Sequence, residues 1–487
     1  MKTQRGMTLI DVLVGSALVL IIFLALLGLL RASLLISSSA KAKAGATAIA
    51  TTQMEYLRSL PYTSVGTIGG IPAGLIAQAT TTTMNGVPYG VRTLIEYVDD
   101  PKDGSGAADS NSITTDYKRA KVAVTYLFRG TTREVALISN IAPPSIETTT
   151  GGGTLRVNVV DAVGTAVPGA SVRIENPSAS PAVDFTTFSD VVGSISLPGA
   201  PTSTDYRITV TKSGYSTAET YARDATNQNP TPGYLTVVEN QTTSSTFAID
   251  LLAPFTMRTF YAIRAASSTD TFSSNANLEV MTATQVAGGA LTLSGSPGAY
   301  ALSGDARSTT TAPTYLAQWT SANATRTVPA DTTAIVRVTD SAGLLLPDSV
   351  LPGNSAGFST FPVDLTSVST TTYPSLALSA SFSSPLGLST PEVLDWTLAF
   401  EEGPIPVPNV PFTLTGAKQK GTTGAGAAIY KTITTTTTDS TGSRLLPLEW
   451  DVYALSGVTG FTVSTSSVSS PYTLSPGTAF DVSLFLE

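Results

Sequence analysis

The sequence predicts a mainly β, multidomain protein that begins with a long transmembrane α-helix and a small α+β head. The chain has 487 residues, enough for about three or four ordinary domains. Residues 7–30 form an apolar run with one charged side chain. From Thr154 onward Thr, Ser, Val, Gly and Pro dominate, which is typical of short strands separated by turns. Together these observations favour a helical stalk followed by several β domains.

The composition excludes several classes of function. The chain has no Cys and no His, so disulfides, thiolate nucleophiles, cysteine-bound metals and imidazole-based catalysis are ruled out. Charged residues make up 13%, against a usual value of about 25%. The formal net charge is −8, which argues against broad nucleic-acid binding. We therefore expect a non-enzymatic protein with no cofactor and no nucleic-acid partner.

The apolar run is long enough to cross a membrane. Residues 7–30 exceed the roughly 20 residues that a spanning helix needs. Lys2 and Arg5 precede the run, so the positive-inside rule predicts a cytoplasmic N-terminus. Apolar residues then continue at helical spacing, which predicts one helix over residues 7–60, with 7–30 in the membrane. Pro61 ends the pattern, because the residue before a proline is biased out of the α region.

The start of this helix carries an acidic residue inside apolar sequence. The segment Gly6-Met7-Thr8-Leu9-Ile10-Asp11-Val12 resembles the processing site of type IV pilins and of type II secretion pseudopilins. The resemblance implies that residues 1–6 are a leader, that a prepilin peptidase cuts after Gly6, and that the new amine of Met7 is methylated. It also implies that Asp11 pairs with the N-terminal amine of a neighbouring subunit. The family usually has Phe and Glu at these two positions. A plain membrane anchor is the alternative.

Residues 61–147 form the predicted head. Two alternating runs, GVPYGVRTLIEYVDD and DYKRAKVAVTYLFRG, and a third, REVALISNI, predict a small antiparallel sheet packed on the exposed half of the helix. The resemblance makes this an α+β pilin head. Residues 148–153 then have the composition of a linker.

Five aspartates lie close to the loop between the first two of these strands. Calcium prefers six to eight oxygen ligands, so the aspartates are candidates for a calcium site, although their spacing matches no EF-hand. A solvated acidic turn with Asx-type capping is the favoured alternative. The candidate ligands are Asp99, Asp100, Asp103, Asp109 and Asp116.

The distal half divides into three predicted β domains. Residues 154–252 resemble the carboxypeptidase regulatory-like sandwich, through Asp161/Gly164, the strand VPGASV and the late segment YRITVTKSGY. Residues 404–487 are predicted to be a second sandwich, because VPNVPFTLTG and TDSTGSRLLP align with VPGASVRIEN and SDVVGSISLP. Residues 253–403 resemble a jelly-roll module of extracellular proteins. Such modules often bind glycans, but Trp319, Trp396 and Trp450 are expected to be core residues.

The predicted function is assembly. The sequence indicates a structural subunit of a type IV pilus-like filament, a minor or tip pilin that displays large extracellular β domains for adhesion. The partners are other pilin subunits, the inner membrane before assembly, and surface glycans or receptors of a host or partner cell. One alternative is a pseudopilin of a type II secretion or DNA-uptake apparatus. The other is a membrane-anchored, glycan-binding surface protein that does not polymerise.

Overall fold

The computed structural model describes residues 9–100, 102, 115–144 and 152–487. One long helix is followed by many strands in several sheets, so the predicted fold class is confirmed. In the described chain, hydrogen bonds join the head to the first sandwich and the first sandwich to the C-terminal sandwich. The middle domain is connected to the C-terminal sandwich by two short chain segments, 262–263 and 403–404.

Helix α1 spans Leu9–Ser59, 51 residues, or about 76 Å at 1.5 Å per residue. Its second half packs on the head through a stripe of small and apolar side chains, all at most 5% exposed. The spacing of three and four residues keeps this stripe on one helix face. The buried residues are Ala42, Ala46, Ala50, Met54 and Leu57.

The head is a four-stranded antiparallel sheet in the order β1-β2-β3-β4, packed against α1. A short 3-10 helix, Tyr62–Ser64, leads from α1 toward the sheet. Alternate residues of β3 point toward α1, which explains the alternating pattern in the sequence. The strands are β1 (Ala79–Met84), β2 (Val87–Val98), β3 (Tyr117–Phe128) and β4 (Thr131–Ile141).

The first sandwich has two facing sheets around one core. The larger sheet has the order β10-β9-β6-β7, with β12 also paired to β9, and the smaller has the order β13-β5-β8. The strands are β5 (Gly153–Val160), β6 (Ser171–Asn176), β7 (Val183–Phe188), β8 (Ser194–Ala200), β9 (Ser203–Thr211), β10 (Ala218–Glu219), β11 (Asn229–Pro230), β12 (Leu235–Val237) and β13 (Thr242–Ala248).

The head is docked on this sandwich by direct contacts. The backbone N–H of Asp184 donates to the carbonyl of Gly69 at 2.8 Å, and the Gln78 amide donates to the Asp184 carbonyl at 2.6 Å. Ile71 of the head lies in the sandwich core, 2% exposed. The sequence predicts a linker over residues 148–153, of which 148–151 lie outside the described residues. The two bodies are nevertheless held together by contacts far from that segment.

Glu96 lies in this docking surface, and its environment predicts that the docking of the head on the first sandwich depends on pH. The Thr187 hydroxyl donates to its carboxylate at 3.0 Å, and burial raises the pKa of Glu96. A raised folded-state pKa means that ionisation costs more in the folded protein, so docking weakens as the pH rises above the ordinary glutamate pKa of about 4.3. We expect Glu96→Gln to raise the unfolding temperature of the head and first sandwich at pH 7, with little difference below about pH 4. Scanning calorimetry measures this.

The matched control is Glu134→Gln, an exposed carboxylate on the same sheet. It should leave the unfolding temperature unchanged at both pH values. A lower unfolding temperature for Glu96→Gln at pH 7 would mean that ionised Glu96 stabilises the docking surface, contrary to the prediction.

The middle domain has two main sheets and its own core. One sheet has the order β17-β18-β26-β22-β24, with β15 also paired to β26, and the other has the order β16-β21-β25-β23. The strands are β15 (Arg264–Asp270), β16 (Leu278–Thr282), β17 (Thr284–Ala287), β18 (Ala290–Leu293), β19 (Gly295–Ser296), β20 (Ala299–Tyr300), β21 (Ser303–Ser308), β22 (Leu316–Thr327), β23 (Thr333–Asp340), β24 (Val363–Asp364), β25 (Leu376–Ser383) and β26 (Glu392–Glu402).

The C-terminal sandwich repeats the first. Its sheets have the orders β27-β14-β36-β34, with β32 paired to β14, and β31-β28-β33-β35. Its hairpin β29-β30 also pairs with β11 of the first sandwich. The strands are β14 (Ala253–Tyr261), β27 (Ile405–Pro406), β28 (Pro411–Gly416), β29 (Gln419–Thr422), β30 (Ala428–Tyr430), β31 (Ile433–Thr437), β32 (Ser443–Leu448), β33 (Val452–Ser456), β34 (Val463–Ser466), β35 (Tyr472–Thr473) and β36 (Phe480–Leu486).

Strand β14 corrects the sequence-based boundary at residue 253. The sequence assigns it to the middle domain, but β14 pairs in parallel with β36 and antiparallel with β32. In the first sandwich β5 pairs in the same way, in parallel with β13 and antiparallel with β8. Strand β14 is therefore the first strand of the C-terminal sandwich, and the middle domain is inserted between its first and second strands.

Four turns with the pattern Asp-x-x-Gly share one geometry. In each turn the Asp carboxylate accepts the backbone N–H groups two and four residues later, at 2.8–3.0 Å. Each Gly has a φ between +73° and +87°, which favours glycine because it has no Cβ. The sequence analysis identifies three of these turns and misses the one at Asp340–Gly343. They are Asp161–Gly164, Asp190–Gly193, Asp340–Gly343 and Asp439–Gly442.

Candidate functional site

The first candidate site is the apolar half of helix α1. Every described side chain from Leu9 to Leu34 is exposed, including Phe23 at 57%. Leu13–Ser59 is long and apolar enough to cross a membrane, and the mean hydropathy of its most apolar window is 2.9. A signal sequence near an N-terminus would pass the same test. The surface is far too apolar to remain in water, so lipid or other apolar helices must cover it.

Hydroxyl groups on this helix are satisfied internally. The Ser16 hydroxyl donates to the carbonyl of Leu13 at 2.9 Å, and Ser38 donates to Leu35 in the same way. Such back-bonding removes the cost of placing a hydroxyl in an apolar environment. The Ser16 hydroxyl of the apolar half is therefore compatible with lipid or with a helical bundle.

The predicted processing residues lie at the edge of the structure. Gly6 and Met7 lie outside the described residues. Asp11 is the third residue of α1 as the structure describes it. The position of its side chain is not among the described features. Cleavage after Gly6, methylation of Met7 and pairing of Asp11 remain predictions from the sequence.

The acidic loop is described in part. The Asp116 carboxylate accepts the backbone N–H of Asp100 at 2.5 Å, and Asp100 accepts that of Lys102 at 3.2 Å. The bond between Asp100 and Lys102 is the Asx-type capping that the alternative interpretation expects, whereas the bond between Asp100 and Asp116 closes the base of the loop. Asp103 and Asp109 lie outside the described residues. Within the described ranges no group of three or more His, Cys, Asp or Glu side chains is placed to hold a metal ion. Calcium binding stays a prediction.

Lys118 joins the helix exit to the head sheet. It is 2% exposed, and its Nζ donates to the carbonyls of Tyr62 and Val65 at 2.8 and 2.9 Å. The same ammonium lies 4.4 Å from the ring centre of Tyr62 and 5.3 Å from that of Tyr97. A buried lysine with these partners fixes the direction in which the stalk leaves the head. Sequence analysis missed it, although it continues the inward-facing alternation of β3.

Tyr89 holds the helix from the other side. Its hydroxyl donates to the carbonyl of Ala42 at 3.0 Å, and its ring packs over Gly45. A Cβ at Gly45 would lie 2.5 Å from the Tyr89 hydroxyl, so only glycine fits under the ring in this arrangement. The second half of the stalk is therefore held against the head by a hydrogen bond and by close packing.

The tryptophans divide into two groups. Trp319 and Trp396 are core residues, 0% and 2% exposed, so the expectation is confirmed for them. The Trp319 indole donates to the carbonyl of Tyr373 at 2.8 Å, and Trp396 packs edge-on against Phe272. Trp450 is half-buried instead, and the Lys418 ammonium lies 3.0 Å from its ring centre.

Comparisons with known proteins give only distant similarities. The sequence matches no protein-family model and no curated protein. Among solved structures, the Bacillus anthracis TIE protein is similar over 84% of this chain and 73% of its own, with 10% identity and a TM-score of 0.17. BcpA, the major pilin subunit of Bacillus cereus, is similar over 69% of this chain and 100% of its own, with 9% identity and a TM-score of 0.14.

A streptococcal ancillary pilin is similar over 75% of each chain, with 10% identity and a TM-score of 0.19. TM-scores of this size mean that the chains do not superpose as wholes. These similarities therefore carry no weight for the function of this chain.

Proposed function

We propose that this chain is a structural subunit of a type IV pilus-like filament. The observation that supports the proposal is the two-part helix: an exposed apolar half, Leu9 to Leu34, continues without a break into a half that packs one face on the head. A plain anchor needs the first half alone. A rigid stalk fixed to a head by Lys118 and Tyr89 is what packing of many copies around a common axis requires, because each head must then hold a fixed orientation.

Before assembly the chain would lie in the inner membrane, where a prepilin peptidase and methylase act on Gly6 and Met7. In the filament the apolar helices would pack together, with Asp11 against a neighbour's N-terminal amine. Three β domains in series beyond the head would crowd a helical lattice at every position. We therefore propose a minor or tip subunit, without catalytic activity, that presents its β domains to glycans or receptors. Filaments composed mainly of this chain would contradict the minor role.

The mature N-terminus tests this proposal directly. Mass spectrometry of the chain from its native cells should find a methylated Met7 as the first residue. An intact Met1 would overturn the filament proposal and favour the anchored, non-polymerising alternative. A processed chain without surface fibres under immuno-labelling would favour a secretion or DNA-uptake pseudopilin.

Asp11→Ala is expected to permit cleavage but to lower incorporation into filaments by at least about tenfold, since an unpaired N-terminal amine is costly in an apolar core. The amount of processed chain in sheared filaments, relative to the membrane pool, measures this. Asp11→Glu is the matched control, because it keeps the charge, and it should assemble. Normal incorporation of the alanine variant would show that Asp11 does not set the register.

A further inference from the structure

The chain enters and leaves the first sandwich through two neighbouring parallel strands. Strand β5 follows the head in the chain, and β13 precedes the C-terminal sandwich. The two strands pair over seven residues, from Thr154↔Thr242 to Val160↔Ala248. A pull on the two ends of this domain acts on the start of β5 and the end of β13, so it slides one strand along the other. All the hydrogen bonds of the pair then bear the load together.

The C-terminal sandwich has the equivalent pair, since β14 and β36 pair in parallel over seven residues. Its connections differ, because the chain arrives at Ala253 and leaves for the middle domain after Tyr261, so that both attachment points lie on β14. A β-strand already rises about 3.3 Å per residue and an extended chain at most about 3.6 Å, so β14 gains only about 3 Å under tension. Tension between the stalk and the middle domain therefore runs along β14 and does not slide it against β36.

The joint between the two sandwiches contains no slack chain. Only residues 249–252 lie between β13 and β14, and their backbone is bonded to both domains. The N–H of Leu252 donates to the carbonyl of Gly214 in the first sandwich at 2.9 Å, and the N–H of Gly477 in the C-terminal sandwich donates to the carbonyl of Leu251 at 3.2 Å. Tension in β14 is therefore passed directly to the end of β13.

The middle domain is held by its two connecting segments. Within the described chain no backbone hydrogen bond joins residues 264–402 to residues 153–261 or 405–487. Residues 262–263 lead straight from β14 into the domain, so they limit how far the domain can move away from the end of β14. Loss of structure that begins from the other segment, 403–404, therefore does not lengthen the path from the middle domain to the stalk.

We propose that, of the two sandwiches, the first bears a pull on the middle domain, through sliding of β5 against β13, and that the C-terminal sandwich is left unloaded. When the pair β5–β13 gives way, the first sandwich lengthens by about 300 Å, because residues 153–248 span at most about 3.3–3.6 Å each. The C-terminal sandwich stays folded and keeps the middle domain attached. The inference deepens the proposed function and rests on it only for the source of the tension.

Single-molecule pulling of the full chain in detergent, at constant force, tests the direction of loading. The sequence has no Cys, so each introduced cysteine is a unique attachment point. The exposed Asn140 of the head, as Asn140→Cys, is combined with Ile263→Cys, which pulls on the end of β13 through β14, or with Glu239→Cys, which pulls next to the start of β13. The second arrangement separates the same two strands one residue pair at a time.

Both arrangements should give a long step of about 300 Å, after a short one in which the head leaves its docking surface. At the same force, the folded first sandwich should survive at least about tenfold longer with Ile263→Cys than with Glu239→Cys, because several hydrogen bonds must then break at once. The nearly equal step lengths show that the same domain is folded in both arrangements.

Two matched substitutions test which sandwich bears the load. Val157→Ala in β5 and Val482→Ala in β36 each remove two methyl groups from a side chain that is 0% exposed. With Ile263→Cys as the attachment point, Val157→Ala should raise the rate of the long step by at least about threefold, and Val482→Ala should leave that rate unchanged. Faster hydrogen exchange of peptides from β14 and β36 in the Val482→Ala chain shows that this substitution does weaken the C-terminal sandwich.

Equal lifetimes with the two attachment points would overturn the inference, since sliding of β5 against β13 would then not resist the pull. Equal effects of Val157→Ala and Val482→Ala would also overturn it, because the C-terminal sandwich would then share the load. These results do not depend on processing of the N-terminus. An unprocessed N-terminus, with the expected lifetimes, would refute the filament alone.

Discussion

Lys118→Met is expected to destabilise the head by about 3 kcal/mol, because it removes two hydrogen bonds from a charged donor and leaves two carbonyls without it. The ammonium lies between the carbonyls of Tyr62 and Val65, at 2.8 and 2.9 Å, in an interior where water does not replace it. Methionine keeps most of the side-chain volume and removes the charge, so the change isolates the polar contacts. The stalk should then detach from the sheet before the β domains unfold.

Hydrogen–deuterium exchange with mass spectrometry resolves the domains and is the appropriate measurement, since a single unfolding free energy is not defined for a multidomain chain. Peptides from residues 42–65 should exchange faster in the variant, and those from 264–402 should not. Lys121→Met is the matched control, because Lys121 lies on the same strand and faces outward. Equal effects of the two substitutions would show that the buried ammonium does not hold the stalk.

The inward orientation of Lys118 can be predicted from the sequence, but its role cannot. Lys118 has the same parity in β3 as Val122, Val124 and Tyr126, and that alternation predicts an inward side chain. What sequence cannot supply is the partner: the carbonyls belong to the exit of α1, more than fifty residues earlier. Local periodicity therefore predicts which side chains are buried, whereas the contact that fixes the stalk depends on tertiary packing.

The repeated sandwich shows the same limit at a larger scale. The sequence identifies the second copy from its second strand and from the turn Asp439–Gly442, because these lie within one continuous stretch. Its first strand, β14, lies about 150 residues earlier, before the inserted middle domain. Short alternating segments such as APFTMRTFY contain no information on which sheet they join, so only the pairing with β36 reveals the insertion.

The apolar half of α1 differs from two loops of the middle domain, residues 293–302 and 384–391, in how far the sequence predicts it. A largely apolar run of 24 residues with one charged side chain is sufficient to predict a membrane-length helix from composition alone. The exposed Leu302 precedes the exposed Leu386 and Leu388 by more than eighty residues, and all three resemble ordinary core positions in the sequence. Only the hydrogen bonds between the two loops bring them to one surface.

Gly193→Ala is expected to cost about 3 kcal/mol, and Gly164→Ala only about 1 kcal/mol, although both glycines end the same kind of turn. Both have positive φ, +73° and +87°, so each alanine carries the strain of a left-handed backbone conformation. The two positions differ in the room that a Cβ would have. A Cβ at Gly193 would lie 2.5 Å from the carbonyl oxygen of Val159, whereas a Cβ at Gly164 would meet no atom within 4 Å. The first substitution must therefore displace backbone, which adds to the strain.

Comparison of Gly193→Ala with Gly164→Ala separates the cost of conformational strain from the cost of steric exclusion in the first sandwich. Denaturant-dependent hydrogen exchange of peptides from β5 and β8 gives the two local free energies, and the difference between them measures the cost of the close approach at Val159. Gly442 occupies the equivalent position in the C-terminal sandwich, where a Cβ would lie 2.9 Å from the carbonyls of Thr259 and Val407. Gly442→Ala should therefore resemble Gly193→Ala. If all three substitutions cost the same, positive φ alone would explain why glycine stands there, and the equivalence of the two sandwiches at this turn would have no steric basis.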